Sequence, residues 1–223
     1  HRSTYPAWAP DGGRVVIPYG LPEVFRRAEG AAEVPPPRAI FTSNPLRGLD
    51  WLLDLWRDRI RPAVPGAELH VFSGSATYGA VGSAKAEAMR AVLNKAEALR
   101  DSGVVLRTPV GKPQLIEELR ASRVLLYRGD INETYCYAVA EAQALGVPCV
   151  VKDIGSMRER VVDGETGYVC ADSAAGDAEF ARRAVEILGG ETGAWRAMQA
   201  RARDLQRRWS WDDAAASWET LLS

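Results

Sequence analysis

The sequence predicts an α/β domain: a doubly wound parallel sheet of Rossmann-like type. Three observations predict it. Short apolar runs rich in Val, Ile, Leu and Phe alternate with helical patterns five or six times along the chain. The clearest unit joins an apolar run at Val124–Tyr127, a loop, an alanine-rich helix over residues 135–145 and a second run at 147–151, and it reads as βαβ. No repeat of about 20–50 residues occurs, which excludes a solenoid or propeller.

Composition narrows the class. At 223 residues, 47% hydrophobic and 26% charged, the chain suits one globular domain with appendages. A net charge of −1 gives no reason to expect nucleic acid or another polyanion as partner. No apolar run approaches the roughly eighteen residues of a membrane span. The polar start His1-Arg2-Ser3-Thr4 has no signal-peptide pattern, and His1 reads as a tag remnant. Cys136, Cys149 and Cys170 show no C-x-x-C spacing, which argues for a reducing compartment, hence the cytoplasm, and against a zinc site. His1 and His70 are the only histidines, too few for a histidine metal cluster, and His70 reads as a strand residue.

The elements follow in order. Residues 1–38 are loop-rich and include Val34-Pro-Pro-Pro-Arg38, a stiff surface segment. Residues 38–42 read as the first core strand. Residues 43–50 form a turn-rich loop entering a helix with Leu49, Leu52, Leu53, Trp56 and Ile60 at helical spacing. A strand at 68–72 leads into a glycine-rich loop at 73–82, which lacks the G-K-[ST] ending and the G-x-G-x-x-G spacing of phosphate cradles and reads as a mobile loop. A helix over 83–100 buries Met89, Val92, Leu93, Ala96 and Leu99. The strand at 104–107 and the loop at 108–113 precede a helix with Pro113 near its first position and Leu115, Ile116 and Leu119 inward. Past the central unit a tight turn and edge strand follow at 162–169. Three helices close the chain, marked by Phe180, Ala184 and Leu188; by Trp195, Met198, Ala202, Leu205 and Trp209; and by Trp211, Ala215, Trp218 and Leu222, the last capped by Ser210.

The chemistry gathers at the central helix. Gly146 and Pro148 stop it, and Asn132 or Thr134 is expected to cap its start. A helix start at the carboxyl edge of a parallel sheet binds anions, because free N–H groups and the positive dipole end point outward. Glu133 and Glu141 frame it. At 1.5 Å per helical residue they stand about 12 Å apart along the axis, a length similar to a diphosphate between two sugar rings. Glycosidase carboxylates stand roughly 5–10 Å apart, so hydrolysis by this pair is excluded on that spacing.

Residues 133–151, ETYCYAVAEAQALGVPCVV, resemble the E-x7-E stretch of retaining glycosyltransferases of family four, or group 1, which have the GT-B architecture. Both glutamates, Ala142, Ala144, Gly146, Pro148 and the valines match; Tyr135 replaces the usual Phe and Cys136 the usual Gly. Residues 15–21 resemble that family's V-I-P-N-G-V segment with Tyr19 in the Asn place, and residues 153–169 resemble its G-x-x-x-E and V-x-D-G-x-T-G stretches. Arg47, before Gly48, matches the family's diphosphate-binding Lys, and Asn44 lies nearest its Arg.

The resemblance implies a single GT-B C-terminal domain that binds the donor, a nucleotide-diphosphate sugar. It implies a lead-in segment at 1–38 from a missing N-terminal domain, a nucleotide-sugar-binding body at 39–208, and a crossing helix at 209–223 with exposed apolar residues such as Trp218. Arg47, with Asn44 beside it, is expected to meet the diphosphate. Amides around Tyr135, Cys136 and Tyr137 would hold its oxygens. Glu141 would take the ribose, Val110 and Lys112 would lie against the base through main-chain groups, and Glu133 would orient the transferred sugar. Glu133 and Arg47 are thus the expected catalytic pair. No cofactor and no metal are expected, and the lack of a D-x-D motif agrees. The acceptor (a glycan, lipid-linked sugar or protein) would sit on the N-terminal domain, so this domain alone would be inactive. Two other functions fit the same features: a sugar-nucleotide epimerase of similar architecture, weakened by the scarcity of His, and a nucleotide-sugar binding module without turnover.

Overall fold

The computed structural model describes residues 8, 13, 15–74 and 84–223. Among these, a six-stranded parallel sheet runs in the order β3-β2-β1-β4-β5-β6. Its strands are β1 (Arg38–Phe41), β2 (Glu68–Phe72), β3 (Val104–Arg107), β4 (Val124–Tyr127), β5 (Cys149–Lys152) and β6 (Gly167–Cys170). β4 and β5 are buried at every position, as strands covered on both faces must be, so their continuous apolar runs replace alternation. Ile40 pairs with His70 on one side and with Leu125 on the other, which fixes β1 beside both β2 and β4.

The flanking helices are α1 (Glu23–Arg27), α2 (Leu49–Leu55), α3 (Ala86–Ala98), α4 (Lys112–Arg120), α5 (Tyr137–Ala144), α6 (Met157–Arg160), α7 (Ala174–Gly189), α8 (Thr192–Gln206) and α9 (Trp211–Leu222). They fall into two packed groups. α2 touches α3, and the π-helical turn Trp56–Ile60 that continues α2 touches α7. α1 touches α4 and α5, and α5 also packs on α8. Two helical layers about one parallel sheet make the doubly wound architecture. Trp56 is fully buried between them, and its indole N–H donates to the Ser102 carbonyl at 2.9 Å, so its large apolar area is buried without an orphaned donor.

Residues 21–25, before β1, are part of this body. Leu21 and Phe25 are core residues, and the Leu21 amide donates to the Trp209 carbonyl at 3.2 Å. Trp209 lies beyond the end of α8 rather than within it, and its indole N–H donates to the Pro18 carbonyl at 3.1 Å. Ser210 caps α9 as expected, accepting from the Asp213 amide at 3.0 Å while Asp213 reaches back to the Ser210 amide at 2.7 Å. Trp211, Trp218, Leu221 and Leu222 on α9 are exposed. The helix after β2 is shorter than its apolar stripe suggests, α3 giving way to a 3-10 turn at Arg100–Ser102. Of the glycine-rich loop at 73–82, Ser73 and Gly74 are described; the remainder, and with it the expectation of a mobile loop, lies outside the described residues. Among the described residues no helix is long and apolar enough to cross a membrane.

Candidate functional site

β1 and β4 are neighbours although two crossover units separate them in sequence. Their carboxyl ends therefore open onto the crevice where strand order reverses, the place where such sheets bind ligands. A cleft of about 380 Å³ lies there, and Arg47, Val110, Lys112, Glu133, Tyr135, Cys136, Tyr137 and Glu141 all line it. Asn44 does not. Its Oδ1 accepts from the Leu46 amide at 2.9 Å and its carbonyl from the Arg47 amide at 2.9 Å, so it shapes the turn that presents Arg47. That turn ends at Gly48, whose φ of +82° starts α2, and a Cβ there would lie 2.5 Å from the Cβ of Arg128.

The loop after β4 carries the first carboxylate. Asp130 folds it, accepting from the Asn132 amide with its side chain (2.8 Å) and from the Glu133 amide with its carbonyl (3.0 Å). Gly155, at φ +58°, brings the loop after β5 against this backbone; a Cβ there would stand 2.5 Å from the Asp130 carbonyl oxygen. Glu133 is thus held from two sides before any ligand is present.

The start of α5 differs from expectation. Neither Asn132 nor Thr134 caps it. The N-cap is Cys136, at φ +61° and ψ +79°, without a side-chain cap bond, and α5 begins at Tyr137. Left-handed backbone costs roughly 1–2 kcal/mol for a residue with a Cβ, which is a physical reason for Gly at this place in the resembling motif. The conformation turns the chain sharply, so Glu133 stands in the loop, and the 12 Å axial spacing, which assumed continuous helix from residue 133, does not describe the pair. The first amides of α5 have no intrahelical acceptor, and Tyr137 and Ala138 face the cleft there.

Each carboxylate holds a cation. Arg47 Nη1 donates to Glu133 Oε1 at 2.8 Å, and the Tyr127 hydroxyl donates to Glu133 Oε2 at 2.6 Å. Lys112 Nζ donates to Glu141 Oε1 at 2.5 Å. Glu133 and Glu141 are buried, whereas Arg47 and Lys112 are 41% and 54% exposed, so the cations are the movable partners. Burial pushes the Glu141 carboxyl above its ordinary value, and the Lys112 ammonium pulls it back. Burial works against the Arg47 charge, but the Glu133 carboxylate beside it more than offsets this and raises the guanidinium above its ordinary value. Burial, reinforced by the Glu133 charge, raises the Cys136 thiol well above its usual range, so it remains a neutral neighbour.

Sequence reasoning missed the aromatic and hydroxyl framework around these groups. Tyr19, Tyr135 and Tyr137 cluster on one wall, Tyr19 lying parallel to Tyr137 with centroids 6.3 Å apart and Tyr135 4.8 Å from Tyr137. Arg160 sits over the Tyr135 ring at 4.4 Å. Ser43 and Tyr127 stand behind Glu133. The available signal was position: Tyr127 ends an apolar strand at the sheet's ligand-binding edge.

Comparison with known proteins places this geometry. A D-inositol 3-phosphate glycosyltransferase of Xylanimonas cellulosilytica is 31% identical over 117 residues, 51% of this chain and 26% of that protein. The solved sucrose-phosphate synthase of Thermosynechococcus elongatus superposes with a TM-score of 0.75 at 18% identity, over 96% of this chain and 53% of that one. The Anabaena HepE structure in complex with UDP-glucose gives a TM-score of 0.63 at 14% identity, over 86% and 49%. This chain therefore spans about half of those structural neighbours and about a quarter of the sequence relative. The two structures establish a shared fold, the GT-B type of Rossmann-like domain. The family described as "Glycosyl transferases group 1" matches residues 36–189, which hold all six strands of the sheet and the helices from α2 to α7, and the chain belongs to that family.

Proposed function

We propose that the cleft binds a nucleotide-diphosphate sugar and that this chain is the donor-binding domain of a retaining glycosyltransferase. One observation carries the reading: an open helix start lies between two buried carboxylates, each holding a cation that a ligand can displace. The diphosphate takes Arg47 and the amides of Tyr137 and Ala138, where the helix end stabilises the charge left on the departing group. Glu141, released by Lys112, accepts the ribose hydroxyls. The base lies by Val110 and Lys112. Glu133 accepts hydroxyls of the transferred sugar and fixes its reacting face. Charge on the diphosphate is met by protein groups, without a resident metal. Family membership supports the class of reaction, and HepE, a neighbour in fold, is seen with UDP-glucose.

The acceptor, in this reading, is held by a facing N-terminal domain. The three free cysteines agree with a reducing compartment, and we place the protein in the cytoplasm. The test is a screen of UDP, GDP and ADP and their sugar conjugates by calorimetry and thermal shift. At least one sugar nucleotide should bind and raise the melting temperature, and its bare nucleoside should bind more weakly. A folded chain that binds none of them overturns the reading.

A further inference from the structure

Among the described residues Arg47 and Tyr127 donate to Glu133, and they differ in kind. Arg47 is 41% exposed and reaches Oε1 at the end of a flexible side chain. Tyr127 is 1% exposed, packed with its ring centroid 5.9 Å from that of Phe41, and its hydroxyl donates to Oε2 at 2.6 Å. That hydroxyl accepts from Ser43 Oγ at 3.3 Å, and Ser43 is itself located by Ser73, whose hydroxyl donates to the Ser43 carbonyl at 2.6 Å. The loops after β1 and β2 and the end of β4 thus converge on one carboxylate oxygen. Any anion entering the cleft competes for Arg47, whereas no ligand competes for the buried Tyr127.

The geometry points to Tyr127 as the positioning residue of Glu133. It keeps Oε2 in place when Arg47 passes to the diphosphate, so that Oε1 alone turns to the hydroxyls of the transferred sugar. This rests on the donor reading above and adds a specificity element to it. A carboxylate with one oxygen fixed by a rigid phenol offers its other oxygen in one direction, which selects among sugars by hydroxyl orientation. Without the phenol, Glu133 is free to follow Arg47 toward the diphosphate, and the sugar loses its fixed acceptor. A bare nucleoside diphosphate does not meet Oε1 and is insensitive to the difference.

The test uses Tyr127→Phe, Glu133→Gln and the double variant, each titrated calorimetrically with UDP and UDP-glucose, and in parallel with GDP and GDP-mannose. Tyr127→Phe should leave the diphosphates within about twofold and weaken the bound sugar nucleotide about tenfold, the scale of one hydrogen bond to a charged group. The double variant should be no weaker than Glu133→Gln alone, because Tyr127 acts through Glu133. Equal loss for both ligand types, no loss for either, or added loss in the double variant overturns the assignment. If melting shows that Tyr127→Phe does not fold, Ser43→Ala keeps the ring and removes the bond to its hydroxyl. It should then weaken the sugar nucleotide alone, by about two- to threefold, and any other pattern counts against Tyr127. Failure of the unmodified chain to bind any of UDP, GDP, ADP and their sugar conjugates overturns the donor reading itself, and this assignment with it.

Discussion

Replacing Arg47 with alanine separates the diphosphate site from the rest of the cleft. In the empty cleft its guanidinium is paired with Glu133 at 2.8 Å and is 41% exposed. A diphosphate gains a charge-assisted hydrogen bond of about 1.5–3 kcal/mol. Taking Arg47 from Glu133 gives back part of it, and a pair this open to solvent contributes only about 0.2–1 kcal/mol. The net loss on substitution is about 0.5–2.8 kcal/mol, or roughly two- to a hundredfold in affinity for a nucleoside diphosphate. Affinity for the nucleoside should hardly change, because the proposed orientation puts the base and ribose toward Lys112 and Glu141. Calorimetry with UDP and uridine, or the corresponding pair for the base that binds, measures both. If the nucleoside loses as much as the diphosphate, Arg47 acts on folding or on the base, and the placement of the phosphates is wrong.

Other outcomes follow from the same structure. At Cys136 the φ of +61° makes glycine the better replacement: Cys136→Gly should be more stable than Cys136→Ala by about 1 kcal/mol in urea unfolding, despite the greater unfolded-state freedom of glycine, and the reverse order would remove the strain argument. Burial holds the His70 imidazole below its ordinary value of 6.5, with Glu68 opposing. The unfolded chain therefore takes up this proton first as pH falls, so stability should decline from about pH 6.5 down to the lower folded-state value and then level; His70→Gln should flatten that part of the curve, and an unchanged slope would assign it to other groups. Chelation with EDTA should leave sugar-nucleotide affinity unchanged if protein groups alone meet the diphosphate charge, and a large loss would show a metal in the donor site.

The sheet was legible because each strand is a short apolar run and each crossover carries its own helical stripe. The cap at Ser210 was legible because a serine stands just before the helical pattern that starts at Trp211, and the structure adds Asp213 as the other half of a capping box. The start of α5 was not. Asn132 and Thr134 are good capping residues by type, yet Cys136 takes the turn in a left-handed conformation that its side chain disfavours. The Gly normally found there in the resembling motif was the one available hint of a positive φ. Arg47 and Glu133 are 86 residues apart, and Lys112 and Glu141 29 apart. Such pairs exist because strand order reverses between β1 and β4, which brings together loops that local patterns treat separately. Asn44 shows the opposite case: its place nearest the family's Arg position suggested a ligand contact, whereas its side-chain oxygen and carbonyl close the turn.

The central claim is that the two carboxylates divide the donor between them, ribose at Glu141 and transferred sugar at Glu133. Titration of a nucleoside diphosphate and its sugar conjugate into Glu133→Gln and Glu141→Gln tests this most directly, with folding checked by melting. Glutamine keeps the size and removes the charge, so each change should amount to about 1–2 kcal/mol, within the range of one charged hydrogen bond. Glu141→Gln should weaken both ligands alike. Glu133→Gln should leave the nucleoside diphosphate nearly untouched and remove only the extra affinity that the sugar brings. If Glu133→Gln weakens the bare diphosphate as much as Glu141→Gln does, the donor does not lie in the cleft in this orientation.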